Sequence, residues 1–401
     1  MFKLPKLKID YLVGSEKIEQ KTLQPFSKEI CDFLNEFSKS ILSSKALNKY
    51  PDLIGLAFWC RNSNLMNLKK NFYSKSLRFG KGIVFHITPS NVPTNFVYSL
   101  IFGLLAGNTN IVKVPSKDFF QIKILCKIIN SILKKRKYRL IKFMINIIRY
   151  NDLDTNLTKF ISNKVDLRVI WGGDDTISKI RLNPLKPSAT DITFADRYSL
   201  CCINSRLILK LDNAQIDKLT RQFYNDTYLM DQNACSSPQI IVWLGEDKIS
   251  NKAKEIFWKQ LDKNIKIKYD LPDIAVVDKF NQLCLDIVNN DKYYKNKVYS
   301  NYLHTIEIKN LNRNVNSLRG KWGYFYQSNF KNLNSLKKII DKKIQTVTYF
   351  GLKKSDLLNF VVKNKLIGVD RIVPIGNSLN ISLNWDGYNT INQMSRVIEI
   401  D

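Results

Sequence analysis

One cysteine of this sequence, Cys235, lies where a reactive thiol is expected. It sits in the polar turn "DQNACSSP", between a helical pattern and the apolar run "QIIVWLG". A structural cysteine usually lies within an apolar run, whereas a nucleophilic cysteine needs a partly exposed turn in which its thiolate can form and be reached. Cys235 is therefore a candidate nucleophile, and an inert loop cysteine is the alternative. Cys201 and Cys202 lie within a strand pattern, so we predict that both are core residues.

Two further turns carry polar groups at the ends of strand patterns. Asn91 in "TPSNVPTN" precedes a helix pattern and could cap that helix, as asparagine often does. Gly172 and Gly173 in "WGGDD" follow a strand pattern, and they could present backbone N–H groups to a pyrophosphate. The alternative is an ordinary strand-to-helix turn with Asp174 as the N-cap, and the acidic residues there would repel phosphate. Neither turn is specific by itself.

The composition of the 401-residue chain argues against a metal site and against disulfides. It has two histidines, and its seven cysteines form no C-x-x-C pair and no histidine-spaced ligand set. His86 lies inside an apolar strand pattern, so we expect a satisfied core histidine. The odd number of cysteines and the absence of a signal peptide favour reduced thiols in the cytoplasm.

The net charge of +28 either reflects a biased composition or indicates an anionic partner, such as nucleic acid, an acidic protein or a coenzyme phosphate. The densest basic run, "KKRKYRLIK", has no nucleic-acid-binding motif around it, so we predict no nucleic-acid partner. Residues 82–112 contain no charged side chain, but their longest apolar run, "FVYSLIFGLLA", is far shorter than the ~20 residues of a membrane span. That stretch is predicted to be a buried part of a core.

Alternating strand and helix patterns predict an α/β fold. The strand "GIVFHI", the helix "FVYSLIFGLLA" and the strand "NIVKV" form a parallel β–α–β unit. A second unit contains the strand-like run "LIKFMINI" and ends in "VDLRVIW". Amphipathic helices are predicted over residues 14–70, and the pattern changes after about Thr193. We therefore predict two α/β domains, residues 1–196 and 197–401.

Several blocks of the sequence together resemble a known family. "HITPSNVPTNFVYSLIFGLLAGNTNIVKVPSK" is similar to the aldehyde dehydrogenase pattern in which a Pro-x-Asn-x-Pro loop precedes a helix and a lysine-bearing strand. With "WGGDDTISKIR", "FADRYSL", "DQNACSSPQ", "QTVTYFG" and "DRIVPIG" in the same order, the chain resembles the LuxC-type acyl-CoA reductases over roughly residues 78–400. That family supplies the reductase component of the fatty acid reductase complex in bacterial bioluminescence. The resemblance implies an aldehyde dehydrogenase-like fold, with a Rossmann-type NADP-binding domain at 1–196 and an α/β catalytic domain at 197–401.

The resemblance also implies roles for individual residues. Cys235 would be the acyl-accepting nucleophile, and Asn91 would donate a hydrogen bond to the oxyanion. Lys113 and Ser116 would lie along the adenosine ribose, and the Gly172–Gly173 turn would lie near the pyrophosphate.

The cofactor can be narrowed further from the segment "VKVPSK". NAD-specific sites usually place a carboxylate on the adenosine ribose, and this segment offers no acid before Asp118. We therefore predict NADPH. The hydrolytic aldehyde dehydrogenases carry a glutamate that would fall near Thr193, and none is present there. The acyl-enzyme would then lack the base that activates water.

The resemblance thus implies NADPH-dependent reduction of a long-chain fatty acyl-CoA, or of an acyl-enzyme thioester, to the aldehyde through an acyl-cysteine. The expected partners are an acyl donor, an acyl-protein synthetase and a thioesterase, and the expected assembly is a homo-oligomer. An aldehyde dehydrogenase working in the oxidative direction is one alternative. A basic binding protein without activity is the other.

Overall fold

The computed structural model describes residues 1–5, 9–72, 76–289, 293–309, 311 and 315–400. Within these residues the chain divides into two units, Met1–Asp196 with Ser382–Asp401, and Arg197–Ile381. Each unit is built around a mainly parallel sheet, so the α/β class that the sequence predicted is confirmed.

The first unit begins with three short strands, which are followed by three α-helices. Its strands are β1 Phe2–Lys3, β2 Asp10–Val13, β3 Lys17–Ile18, β4 Leu77–Gly80, β5 Ile83–Ile87, β6 Thr109–Lys113, β7 Ile145–Arg149, β8 Leu167–Trp171 and β9 Thr190–Phe194. Its helices are α1 Lys28–Leu42, α2 Pro51–Trp59, α3 Asn62–Asn71, α4 Asn95–Leu105, α5 Phe120–Leu133, α6 Arg139–Lys142, α7 Thr155–Ser162 and α8 Asp174–Arg181. Six of these strands form one sheet in the order β2-β7-β6-β5-β8-β9, which is parallel except for β2.

This sheet order brings the predicted cofactor residues to one edge. The carboxyl ends of parallel strands meet at the same edge of a sheet, where open α/β sheets bind their ligands. The Asn91 loop follows β5, Lys113 ends β6, and the Gly172–Gly173 turn follows β8. Because β5 lies between β6 and β8, these three segments leave the sheet side by side.

Helix α4 packs closely on this sheet because Gly103 has no side chain. A Cβ atom at Gly103 would lie 1.8 Å from Oδ1 of Asn110 and 2.9 Å from Nε2 of His86, so no larger residue fits. Nine of the eleven residues of α4 are buried, which explains why this stretch contains no charge. No helix in the described part of the chain is long and apolar enough to cross a bilayer.

The second unit is built on a larger sheet. Its strands are β10 Tyr198–Asn204, β11 Pro238–Leu244, β12 Tyr293–Ser300, β13 Leu303–Ile308, β14 Tyr324–Phe330, β15 Ile344–Phe350 and β16 Arg371–Pro374. Its helices are α9 Ser205–Ile208, α10 Asn213–Thr227, α11 Asp247–Lys268, α12 Asp273–Asn289 and α13 Lys354–Asn364. The seven described strands follow the order β12-β13-β14-β11-β10-β15-β16, and only β12 is antiparallel to its neighbour.

Strands β10 and β11 lie in the middle of this sheet and are covered on both faces. Successive side chains of a strand point to opposite faces, so Cys201 and Cys202 enter two different hydrophobic clusters. Both are fully buried, and burial raises the pKa of both thiols well above its ordinary value. The prediction that these two cysteines belong to the core is confirmed.

The end of the chain returns to the first unit. It forms β17 Asn384–Trp385, β18 Tyr388–Asn389, α14 Thr390–Met394 and β19 Ser395–Ile398. Strand β19 pairs with β4, and Nδ2 of Asn108 donates to the carbonyl of Met394 at 2.9 Å. The sequence-based boundary at residues 196/197 coincides with that of the units, but residues 382–401, which the sequence analysis assigned to the second domain, lie in the first.

One local prediction was wrong. The run "LIKFMINI" was expected to be a strand throughout, but its first residues belong to helix α6 and only Ile145 begins β7. A short apolar run does not distinguish a strand from a buried helix. The N-terminal region contains the predicted helices α1 to α3 and also strands β1 to β3, of which β2 joins the main sheet beside β7.

Candidate active site

The turn that carries Cys235 is anchored at its backbone while the residue itself stays partly exposed. The carbonyl of Cys235 accepts a hydrogen bond of 2.7 Å from Oγ of Ser199 on β10. The same Oγ accepts from the N–H of Thr346 on β15 at 3.1 Å. One serine therefore fixes the turn to two strands of the sheet. Among the other cysteines, Cys201 and Cys202 are buried and Cys284 is exposed.

Two buried glutamine side chains hold the chain on either side of this turn. Gln232 is 1% exposed and adopts a left-handed backbone conformation with φ of 62°. Its Nε2 donates to the carbonyls of Pro238 at 3.2 Å and Tyr324 at 3.1 Å, and its Oε1 accepts from the N–H of Gly323 at 3.1 Å. Nε2 of Gln239 donates to the carbonyl of Gln232 at 2.9 Å. These amides preorganise the backbone around Cys235, and the sequence analysis did not single them out.

Asp226, near the end of α10, connects the same turn to a distant loop. Its carboxylate accepts from the N–H groups of Gly376 at 2.7 Å and Ser378 at 2.8 Å, and its carbonyl accepts from Oγ of Ser237 at 2.7 Å. Burial raises the pKa of Asp226 to about 6, and the two backbone donors oppose that shift. Asp226 therefore fixes the side chain of Ser237, two residues after Cys235, and also holds the 376–378 loop.

Asn91 lies in the exposed loop between β5 and α4. Helix α4 begins at Asn95, and its N-cap position is Thr94, three residues after Asn91. The alternative that Asn91 is the N-cap of this helix is therefore wrong. Asn91 belongs to the first unit and Cys235 to the second, so the predicted catalytic pair is divided between the two units.

A polar network in the core of the first unit connects the strands that lead to the candidate site. Nε1 of Trp171 donates to Oγ of Ser99 at 2.9 Å, and Oγ lies 2.7 Å from Nδ1 of His86. Nε2 of His86 lies 3.0 Å from Oδ1 of Asn110, whose own Nδ2 donates to a backbone carbonyl. Because Oδ1 can only accept, Nε2 must carry the proton, and Nδ1 accepts from the Ser99 hydroxyl. The network ties α4, β5, β6 and β8 together, and the prediction that His86 is a satisfied core residue is confirmed.

This network predicts a pH dependence of stability. Burial lowers the pKa of His86 to about 4, below the ordinary value of 6.5. Neutral His86 thus stabilises the fold fully above pH 6.5, and that contribution is lost as the pH falls towards 4, because the unfolded chain takes up the proton first. Between pH 7 and 4.5 the loss should amount to roughly 2–3 kcal/mol.

The measurement is urea unfolding at both pH values for the wild type and His86→Gln. Glutamine can still donate to Asn110, but it does not titrate. On acidification the variant should therefore lose roughly 2–3 kcal/mol less stability than the wild type. An equal loss in both proteins would contradict the assignment of a depressed pKa to His86.

Lys113 and Ser116 meet at a carboxylate that the sequence analysis overlooked. Nζ of Lys113 contacts Oδ1 of Asp152, and Oγ of Ser116 donates to Oδ2 of Asp152 at 2.9 Å. Partial burial opposes ionisation of Asp152, but Lys113 and Ser116 outweigh that effect, so the pKa of Asp152 is lowered. As expected, the segment after Lys113 contains no acidic residue before Asp118. The fold nevertheless places the carboxylate of Asp152 against Lys113 and Ser116, so the expectation that these residues have no acidic neighbour was wrong.

The Gly172–Gly173 turn connects β8 to α8, with Gly173 in the N-cap position. The N–H of Gly172 donates to the carbonyl of Phe194 at 3.1 Å. A Cβ atom at Gly173 would have no heavy atom of the described chain within 4 Å, so packing does not require glycine there. The turn is open to a ligand at the positive end of an eight-residue helix, although two exposed acidic residues follow it.

The block in which hydrolytic relatives carry their glutamate offers no free base. Asp191 on β9 is held by Arg168, whose Nε and Nη2 donate to its two oxygens at 2.7 and 2.8 Å. Arg168 is 1% exposed and needs this carboxylate as its counter-ion. Thr193, at the expected position of the glutamate, accepts a hydrogen bond from Arg181. Among the described residues, no group of three or more His, Cys, Asp or Glu side chains could hold a metal ion.

The architecture matches solved aldehyde dehydrogenases. Lactaldehyde dehydrogenase from Escherichia coli superposes with a TM-score of 0.63 over 92% of this chain and 85% of its own, at 12% identity. Glyceraldehyde-3-phosphate dehydrogenase from Methanocaldococcus jannaschii, solved with NADP, gives 0.63 over 93% and 89%, at 15% identity. The chain therefore has the fold of the aldehyde dehydrogenases.

The amino-acid sequence narrows the assignment from this fold to one family. The chain belongs to the acyl-CoA reductase (LuxC) family, whose model matches residues 21–397. It is similar to the long-chain acyl-protein thioester reductases of Aliivibrio fischeri, 28% identical over 188 residues, and Photorhabdus laumondii, 27% identical over 167 residues. These matches cover 47% and 42% of this chain, but only 36% and 33% of the relatives' own length.

Proposed function

We propose that this protein reduces a long-chain acyl thioester to the aldehyde with NADPH, through a covalent acyl group on Cys235. The observation that carries the proposal is the Cys235 turn, in which a partly exposed cysteine lies on a backbone fixed by Ser199 and the buried Gln232. The family membership and the names of the two bacterial relatives support the substrate class. The acyl donor would be acyl-CoA or an acylated protein.

The first chemical step belongs to the chain itself. The Cys235 thiolate attacks the thioester carbonyl, a new C–S bond forms, and the donor thiolate leaves, so a hard reduction is split into two easier steps. The side-chain amide of Asn91 and the backbone N–H of Cys235 would stabilise the oxyanion that develops at the carbonyl. The acyl group then waits on Sγ of Cys235.

The residues of the first unit fit a dinucleotide. Gly173 leaves open space at the start of α8 where a pyrophosphate can approach the backbone, and Lys113 and Ser116 supply a cation and a hydroxyl for the adenosine ribose and its phosphate. When bound, NADPH would supply hydride to the acyl carbonyl, and the aldehyde would leave as the Cys235 thiolate is regenerated. The partners we propose are an acyl-protein synthetase, a thioesterase and further copies of this chain.

The experiment that tests the proposal is a time course of the acyl adduct. Hydrolysis of a thioester near neutral pH needs a positioned base to activate water, and Asp191 is held by Arg168. The adduct should therefore persist without NADPH and disappear when NADPH is added, as aldehyde forms in equal amount. Mass spectrometry follows the adduct, and loss of NADPH absorbance follows the reduction.

The oxidative alternative gives the opposite result. Rapid loss of the adduct without NADPH, with release of free acid, would mean that a hydrolytic base exists. Aldehyde and NADP⁺ would then yield acid in quantity, and the protein would be an aldehyde dehydrogenase working in the oxidative direction.

A further inference from the structure

Asp152 is an acidic residue that contacts both residues of the predicted adenosine site, and no motif of the sequence indicated it. Its two carboxylate oxygens contact different partners, Nζ of Lys113 and Oγ of Ser116. These partners end strand β6 and begin the segment after it, whereas Asp152 follows the neighbouring strand β7. The contact is therefore made across the carboxyl edge of the sheet.

The two members of the ion pair differ in how freely they can move. The Lys113 side chain is 7% exposed, and its Nζ lies 4.9 Å from the ring centroid of Tyr150, whose hydroxyl is hydrogen-bonded to Thr158 at 2.9 Å. The Asp152 side chain is 62% exposed. Lys113 is thus fixed, whereas Asp152 can turn into water. A cation as buried as Lys113 needs an anion beside it, so the position that Asp152 leaves must be taken by another anion.

We infer that Asp152 occupies the position of the 2′-phosphate of NADPH as an internal anion, and that it thereby sets the balance between NADPH and NADH. This inference rests on the proposed function. A 2′-phosphate would use the same donors, Lys113 and Ser116, and would have to displace the like-charged carboxylate. A ribose 2′-hydroxyl can instead donate to the carboxylate where it stands. Asp152 therefore weakens NADPH binding and strengthens NADH binding.

The test is the variant Asp152→Asn, studied through cofactor binding alone. Titration calorimetry with NADP⁺ and with NAD⁺ gives the two dissociation constants without any acyl substrate. Removing the competing charge should tighten NADP⁺ binding by roughly three- to tenfold, and loss of a charged acceptor should weaken NAD⁺ binding by a similar factor. The preference for NADP⁺ over NAD⁺, the product of the two factors, should then rise on the order of 10–10²-fold.

Asp118→Asn is the matched control. Asp118 is an exposed carboxylate on the same edge that pairs with Lys123 and Arg149, so its replacement changes the net charge equally without touching Lys113. The preference should stay at its wild-type value in this variant. An equal rise in both variants would reduce the effect to overall charge and overturn the assignment to Asp152.

A second variant guards against loss of folding. Asp152→Asn keeps an amide oxygen for Lys113, and Asp152→Ser keeps a hydroxyl oxygen on a shorter side chain. The shift in preference for NADP⁺ over NAD⁺ should appear in whichever variant folds, as judged by its thermal unfolding midpoint. Binding of both cofactors with an unchanged preference in these variants overturns the inference alone. Failure of the wild type to bind either cofactor would overturn the inference and the proposed function together.

Discussion

Cys235→Ser should abolish covalent transfer of an acyl group to the protein. A serine hydroxyl is a far weaker nucleophile than a thiolate, and it needs an adjacent base to lose its proton. The anchored backbone should survive the change, because Ser199 and Gln232 hold the turn through main-chain atoms. Folding should thus be retained while acylation falls below detection.

The measurement is intact-protein mass spectrometry after incubation with a long-chain acyl-CoA, followed by peptide mapping. Cys284→Ser is the informative control, because Cys284 is exposed and would collect any non-specific acylation. Cys202→Ser tests a buried thiol whose pKa is raised by burial. Both controls should still be acylated, and an acyl group retained by Cys235→Ser would identify another residue as the acceptor.

Asn91→Ala should lower the turnover of acyl reduction by about 10²–10³-fold, the usual effect of removing one oxyanion donor. Stability should hardly change, because Asn91 lies in an exposed loop and the N-cap position of α4 belongs to Thr94. The rate of acylation of Cys235 should fall with the rate of reduction, since both steps pass through an oxyanion.

Ser90→Ala, at the exposed neighbouring position, is the control for a general disturbance of this loop and should keep normal turnover. Turnover and the urea unfolding midpoint are measured together on all three proteins. If Asn91→Ala instead loses about 1 kcal/mol of stability and keeps its turnover, the side chain has a structural role and no oxyanion role.

Local pattern was sufficient for much of the fold. The apolar runs that became β5, α4 and β6 were bounded to within a residue or two, because their periodicity and length are set by burial. The core position of His86 followed from the same runs, and that of Cys202 followed from the strand pattern that became β10. Strand β2 was missed because a four-residue edge strand is stabilised by its distant partner β7 and leaves little trace in its own sequence.

The candidate site was predictable where a motif is continuous and not where it is assembled in space. Cys235 and Asn91 stand in compact blocks of sequence, so their types and neighbours mark them as candidates, and their catalytic roles stay predictions. Asp152 lies 39 positions from Lys113 and reaches it only because β6 and β7 are adjacent parallel strands that end together. Gln232 supports its turn through contacts with Tyr324, 92 positions away. Pairs separated in this way become visible only when the strand order is known.

The return of residues 382–401 to the first unit has a consequence for the synthesis of the protein. A ribosome makes residues 1–196, then all of 197–381, and only afterwards the segment that pairs with β4 and caps Asn108. At about 5–20 residues per second, the intervening stretch takes on the order of ten seconds or more. During that time β4 lacks its partner strand β19, and Nδ2 of Asn108 lacks the carbonyl of Met394 as an acceptor. The second unit is contiguous in sequence and can complete its sheet as it emerges. The second unit can therefore be completed first, and the first unit stays incomplete until residues 382–401 have been made.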